Sequence, residues 1–311
     1  MQIAAAETGW TAARKRKASR KRWASLPGYL FLLPWLIGFF GLTLGPALAS
    51  LALSFTHFDL MTDPRWAGMA NYRRILFSDT KFWESLRVTF TYVVLTVPLK
   101  LAFALGVAMV LNKGIRGLTI YRAIFYLPSL LGASVAIAVL WREIFSGTGL
   151  LNQLLALVGI QGPSWIANPD TALYTLVVLG IWQFGSPMII FLAGLRQIPQ
   201  DLYEASSLDG ASPRRQFFRI TLPLLTPIIF FNSIVQVIDA FKAFTPAFII
   251  SEGTGGPVNS TLFYTLYLFQ EAFSFFRMGY ASALAWVLVL IIAVFTAVSF
   301  LSARFWVHYD E

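Results

Sequence analysis

The sequence predicts an all-α polytopic membrane protein with six transmembrane helices. Three observations carry that expectation. Hydrophobic residues make up 57% of the 311-residue chain and charged residues only 13%, against roughly 25% charged in soluble domains. The apolar residues gather into six spans, each near the roughly 20 residues that cross a hydrocarbon core. Backbone amides find no water in that core, so spans this long and unbroken must bond internally as helices.

The first span, Tyr29–Phe55, follows a basic block with seven of the 24 Lys/Arg between Arg14 and Arg22. It exceeds a signal-peptide apolar region of about 7–15 residues, and no small-residue cleavage site closes it. It is therefore expected to remain as an anchor. The later spans run over Val88–Leu111, Ile120–Ile144, Thr171–Leu195, Ile220–Ile249 and Gly279–Ala303. The expected organisation is a basic tail at 1–28 and a six-helix domain at 29–311.

Charge asymmetry orients the spans. With both termini inside the cell, the inner segments hold the seven residues from Arg14 to Arg22. They also hold Lys113, Arg116, Arg122, Arg196, Arg214, Arg215, Arg219 and Arg304, which makes fifteen. The outer segments hold eight: Arg65, Arg73, Arg74, Lys81, Arg87, Arg142, Lys242 and Arg277. The excess favours an N-in, C-in arrangement. The outer segment at 56–87 carries five of those eight and four acids, and is long enough to be a small folded cap.

Composition also excludes functions. The chain has no cysteine, which removes disulfides, thiolate metal sites and thiol catalysis together. His57 and His308 are too far apart in sequence for metal-ligand spacing. No carboxylate pair or activated nucleophile suggests catalysis, so no catalytic and no metal residue is expected. A net charge of +9 is better explained by the topology-setting tail than by nucleic acid. No lysine is preceded by glycine, so the chain holds no phosphate-binding loop with which to split ATP. The glycine-rich Ser251–Pro257 stretch is read as a flexible turn leading to an external helix.

The loop at 196–219 is the most informative segment. Asp201 is a good N-cap, with Glu204 three residues on completing a capping-box-like pair. The acid is favoured near the positive helix end. Gly210 is the expected stop, which gives a helix over about Leu202–Asp209. Ser212 then caps a second helix that has Pro213 at its first position. Pro223 and Pro227 should kink the following span. On these grounds alone the loop is either an ordinary interfacial helix–turn–helix or a rigid surface offered to a partner.

The spacing Glu204-Ala205-Ser206, Gly210 and Ile220-Thr221-Leu222-Pro223 resembles the Glu-Ala-Ala signature of permease subunits in bacterial ATP-binding-cassette importers. Ser206 stands in place of the second alanine. Further segments are similar to the carbohydrate-uptake branch. They are Trp66–Tyr72, Phe145–Asn152, and Gly255-Gly256-Pro257 with Thr261 and Met278–Ala283. The opening Leu32-Leu33-Pro34 with Gly45-Pro46 is similar to the first permease of maltose and glycerol-3-phosphate systems. Arg87 departs from the pattern, which more often has Asn-Thr there. Only residues 1–25 fall outside the resemblance.

The resemblance implies a type I importer permease in the bacterial cytoplasmic membrane, surrounded by lipid. In that family the loop is a coupling helix, here Tyr203, Glu204, Ala205, Ser206, Leu208, Asp209 and Gly210, docked on an ATPase. The implied partners are a second permease in a heterodimer, two ATPase subunits and an extracytoplasmic solute-binding protein. No cofactor is expected on this chain; ATP and Mg belong to the partner ATPase. The competing expectation is a stand-alone ion- or proton-coupled transporter, although no internal repeat supports it.

A polar route should be lined by groups that lipid contact would exclude. Asn232, Gln236 and Asp239 recur at i, i+4 and i+7 and share one helix face. Gln183 and Ser186 lie midway along the fourth span, with Trp182 adjacent. Such groups either bind sugar hydroxyls or act as interhelical contacts contributing about 1 kcal/mol. Lys100 stands at mid-span, at an insertion cost of roughly 2.5–3.5 kcal/mol. It is expected to pair with Asp239 or snorkel, with binding of an anionic or polar substrate as the other option.

Overall fold

A membrane helix stays continuous only while each amide reaches the carbonyl four residues back, so proline, glycine and competing caps decide where spans break. The computed structural model describes residues 26–114, 117–132 and 134–307. The basic block Arg14–Arg22, Arg116 and His308 lie outside the described residues.

The first span is α1 (Leu26–Gly38), a π-turn (Phe39–Leu44) and α2 (Gly45–Ser54). Pro46 has no N–H to give, and at the junction the Gly45 amide bonds to the Phe40 carbonyl instead. Phe31, Trp35 and Leu42 project outward, as lipid-facing side chains do. The segment beyond is the small folded cap expected from its length. In it, β1 (Thr56–His57) pairs antiparallel with β2 (Arg65–Trp66), followed by α3 (Ala70–Phe77). The Asn71 amide donates to the Ser54 carbonyl at 2.8 Å and the Thr56 carbonyl at 2.9 Å. The Tyr72 and Ser54 hydroxyls share a bond of 2.7 Å. The motif residues Asn71 and Tyr72 thus tie the cap to the end of α2.

Helix α4 (Thr80–Asn112) begins two turns before the expected Val88. The reason is the Asp79 side chain, which accepts the Phe82 N–H at 3.1 Å and caps the helix there. Its face carrying Tyr92, Thr96, Ala104, Ala108 and Leu111 is buried, and α4 forms the axis of the molecule.

The third span is not the unbroken helix expected over Ile120–Ile144. It consists of α5 (Leu118–Leu131) and α6 (Val135–Ile144), bent by 95°. Ser134 starts a fresh helix by accepting the Ile137 N–H at 3.3 Å. After α7 (Leu150–Ala156) comes a second broken span, α8 (Pro169–Trp182) and α9 (Gly185–Leu195), bent by 41°. In the connecting loop, the Asn152 amide donates to the carbonyls of Gly147 and Pro163, both at 2.9 Å.

The 196–219 loop holds α10 (Gln200–Leu208) and α11 (Pro213–Gln216). A π-turn (Phe217–Thr221) and α12 (Leu222–Leu224) lead into α13 (Thr226–Phe241). The breaks flank Pro223 and Pro227, as expected. Two short helices follow, α14 (Thr245–Ile250) and α15 (Tyr264–Phe269), then a π-turn (Gln270–Ser274) and the long α16 (Met278–Trp306). The Ser251–Pro257 stretch is bonded along its length. Gly255 N–H donates to Ser251 Oγ at 3.0 Å, and the Gln270 amide donates to the Gly253 carbonyl at 2.7 Å. Gly279 must be glycine, because a Cβ there would lie 2.2 Å from the Thr56 carbonyl. Among the described residues, four helices are long and apolar enough to cross a membrane, or up to six if each bent pair is one span.

Candidate functional site

The central cavity is built by α4, α5, α8, α9 and α13. It has a volume of about 560 Å³ and takes all five residues expected on the polar route: Gln183, Ser186, Asn232, Gln236 and Asp239. Asn232 is 1% exposed, and neither polar atom of its side chain has a hydrogen-bond partner among the described residues. An unpaired buried amide costs roughly 1–3 kcal/mol, so the site favours a polar occupant. Gln236 sits one turn on, also buried. Asp239 is at the mouth, 61% exposed, and pairs with Lys242 at 3.4 Å.

Lys100 lines the same cavity. The expected pair with Asp239 is not formed: Lys100 makes no ion pair within 4 Å among the described residues, while Asp239 is held by Lys242. Lys100 lies twelve residues, about 18 Å, from the Asn112 end of α4. Trp182 turns away from the cavity and packs on Trp141, ring centroids 5.9 Å apart. The aromatic walls are Tyr92 and Phe244 instead. Tyr92, Thr96 and Lys100 at i, i+4 and i+8 could have been found by the same spacing that revealed α13.

Ser129 could not be found that way. Its hydroxyl donates to the Gln183 carbonyl and accepts the Ser186 N–H, both at 3.0 Å. Those are two main-chain groups at the α8–α9 bend. A serine on one span therefore satisfies the break in another, which is how broken helices are tolerated in lipid. Close approach is required here: a Cβ on Gly185 would lie 2.4 Å from the Phe125 carbonyl.

The loop is rigid for reasons on its own surface. Its helix begins two residues earlier than expected, at Gln200. Pro199, in extended conformation, is the N-cap, and Asp201 lies in the first turn without capping it. The proline already fixes the extended entry, so no side-chain cap is needed to start the helix. The stop is as expected. Gly210 has φ +76°, and the Ala211 N–H reaches back to the Ser206 carbonyl at 2.9 Å, a Schellman closure. Ser212 caps α11. The Gln216 amide then donates to Ser207 Oγ at 2.9 Å, Ser206 Oγ at 3.0 Å and the Tyr203 carbonyl at 3.3 Å. Tyr203 and Thr221 hydroxyls share a bond of 2.8 Å. Gln216 and Thr221 thus clip α10 to the chain that enters α13. Ala205 and Asp209 are exposed, as is Glu204, whose carboxylate has no hydrogen bond or ion pair among the described residues. Leu208 is 90% exposed.

On the opposite face, Asp79 joins three elements. Besides capping α4, it accepts the Tyr267 hydroxyl at 2.5 Å and the Tyr280 hydroxyl. Burial, then the bond to Asp79, pushes the Tyr267 hydroxyl well above its ordinary value, so it stays a donor. A groove of about 570 Å³ beside it is lined by Arg65, Arg74, Arg277 and Asp59. The Thr62 hydroxyl holds the exposed Asp59 carboxylate below its usual range. Arg277 pairs with the buried Glu271 at 3.1 Å.

Comparison with known proteins places these features in context. Residues 81–307 match the family model described as binding-protein-dependent transport system inner membrane component. The chain is 53% identical over 304 residues to the probable ABC transporter permease protein YesP of Bacillus subtilis (strain 168), covering 97% of this chain and 98% of that one. It is 33% identical over 294 residues to the lactose transport system permease protein LacF of Rhizobium radiobacter, covering 93% and 97%. A chain of the crystal structure of a bacterial alginate ABC transporter, in complex with alginate pentasaccharide-bound periplasmic protein, has the same fold. The TM-score is 0.79 at 20% identity, over 92% of this chain and 96% of that one.

Proposed function

The chain belongs to the family of binding-protein-dependent transport system inner membrane components, and from that premise we propose how it works as a permease of a carbohydrate-importing ABC transporter. It has the type I fold, and its family is not itself catalytic. The observation that carries the proposal is mechanical: α9 and α13, which frame the 196–219 loop, also line the central cavity. They are packed so closely that a Cβ on Gly194 would lie 2.0 Å from Ile228. A push on the loop moves the cavity wall, because packed elements transmit strain.

In this reading the N-terminus and the loop face the cytoplasm. Residues 1–28 are a basic tail and 29–311 the permease domain. Two ATPase subunits bind and split ATP with Mg, one gripping the face formed by Tyr203, Glu204, Ala205, Leu208 and Asp209. A second permease completes the pathway as a heterodimer, and an extracytoplasmic binding protein delivers the solute. Gln183, Ser186, Asn232, Gln236 and Asp239 are the substrate path. The names of the relatives, lactose and trehalose/maltose permeases among them, support a saccharide cargo over a stand-alone ion-coupled transporter.

Glu204→Lys tests the coupling. The variant should insert normally but lose co-purifying ATPase and ATP-driven uptake in proteoliposomes. Normal docking and uptake in that variant would sink the assignment of the loop. Uptake by vesicles without ATPase or ATP would sink the importer mechanism itself.

A further inference from the structure

The cavity contains three charged side chains, Lys100, Asp239 and Lys242. Asp239 and Lys242 neutralise each other at 3.4 Å at the exposed mouth. Asp239 acts on Lys100 electrostatically, but from beyond ion-pair distance. What remains in the interior is one ammonium without a counter-ion among the described residues. The other polar side chains lining the interior, among them Thr96, Ser129, Gln183, Ser186, Asn232 and Gln236, are uncharged.

A cation at this depth is costly unless it meets an anion or a wet cavity. A site for a neutral sugar needs only the amides and hydroxyls already present. Lys100 adds a positive charge with no ion-pair partner among the described residues, which such a cargo would not use. The unpaired Asn232 amide is a second, independent sign that the interior is completed by a ligand. The volume of about 560 Å³ lies within the range of small-molecule pockets.

We propose that the cavity takes an anionic saccharide, with its acidic group at Lys100 and its hydroxyls at Asn232, Gln236 and Gln183. This rests on the carbohydrate-importer reading. It narrows the cargo to sugars bearing a carboxylate or a phosphate. The lysine head is a compact charge that suits either.

The test uses the full complex of this chain, its second permease and the two ATPase subunits in nanodiscs, without binding protein. Equilibrium dialysis measures digalacturonate, its uncharged dimethyl ester, maltose and maltose 6′-phosphate. A hydrogen bond to a charged group contributes about 1.5–3 kcal/mol, so at least one anionic probe should bind about tenfold or more tightly than its neutral counterpart. Lys100→Met should remove that preference while leaving the neutral probes within about twofold, and Lys100→Arg should keep it. A preference for digalacturonate assigns a uronate, and one for maltose 6′-phosphate a sugar phosphate; either supports the proposal. Equal affinity for charged and neutral probes in the parent complex would overturn it, as would an unchanged preference in Lys100→Met. The same complexes in vesicles, now with ATP and the extracytoplasmic binding protein, separate the two readings. ATP-driven uptake of a neutral sugar, indifferent to Lys100, rejects the anionic cargo alone. Absence of any ATP-driven saccharide uptake rejects the importer function as well.

Discussion

Ser129 and Gln183, on two different spans, are joined by a hydrogen bond of 3.0 Å from the serine hydroxyl to the glutamine carbonyl. The same hydroxyl receives the Ser186 amide, so the broken third span staples the bend of the fourth. Ser129→Ala leaves a carbonyl and an N–H unpaired inside the protein. The expected loss is roughly 1–3 kcal/mol, read as a lower melting temperature of the detergent-purified protein. Ser129→Thr keeps the hydroxyl and should recover part of it. A melting temperature unchanged in Ser129→Ala would show that the staple is dispensable.

Gly132 lies where a Cβ would come within 2.3 Å of the Gln183 side chain. That side chain is flexible, so Gly132→Ala should fold and displace the Gln183 amide within the cavity. Saccharide affinity should change several-fold with little change in stability. In a Gln183→Ala background the second substitution should have almost no effect, because the clash is gone. Additive effects across that double-mutant cycle would rule out the contact.

Gln216 holds the loop helix through three acceptors on Tyr203, Ser206 and Ser207. Gln216→Ala frees the helix from the chain entering α13. The loss is about 1 kcal/mol per bond, and the expected outcome is ATPase activity less tightly linked to uptake. The ratio of ATP hydrolysed to sugar moved, measured in proteoliposomes, should rise several-fold. A constant ratio argues that α10 is positioned by other contacts.

Asp79 combines a helix cap with two tyrosine donors. A cap contributes about 1 kcal/mol, and each bond to a carboxylate about 1.5–3 kcal/mol. Asp79→Ala should therefore be among the most destabilising changes on that face, at roughly 4 kcal/mol or more. Tyr267→Phe and Tyr280→Phe should each cost less. Thermal denaturation followed by size-exclusion fluorescence would rank them, and Asp79→Ala at or above the parent midpoint would refute the network.

Much of the molecule was legible in the residues. Span positions follow from apolar run length, because hydrocarbon accepts nothing else. The stop at Gly210, the Ser212 cap and the kinks at Pro223 and Pro227 follow from local backbone chemistry. The shared face of Asn232, Gln236 and Asp239 follows from helical period. Each depends on neighbours within a turn or two, and such rules need no knowledge of the rest of the chain.

Tertiary structure decided what periodicity cannot express. At the 41° bend by Gln183, Ser129, more than fifty residues away in sequence, reaches the freed backbone groups. Lys100 was visible as an anomaly from composition alone. Its lack of a partner depends on Asp239 being taken by Lys242 and on which wall of the cavity α4 presents. The sequence by itself determined which groups would be expensive to bury; packing of distant helices decided which of them were left to meet a ligand.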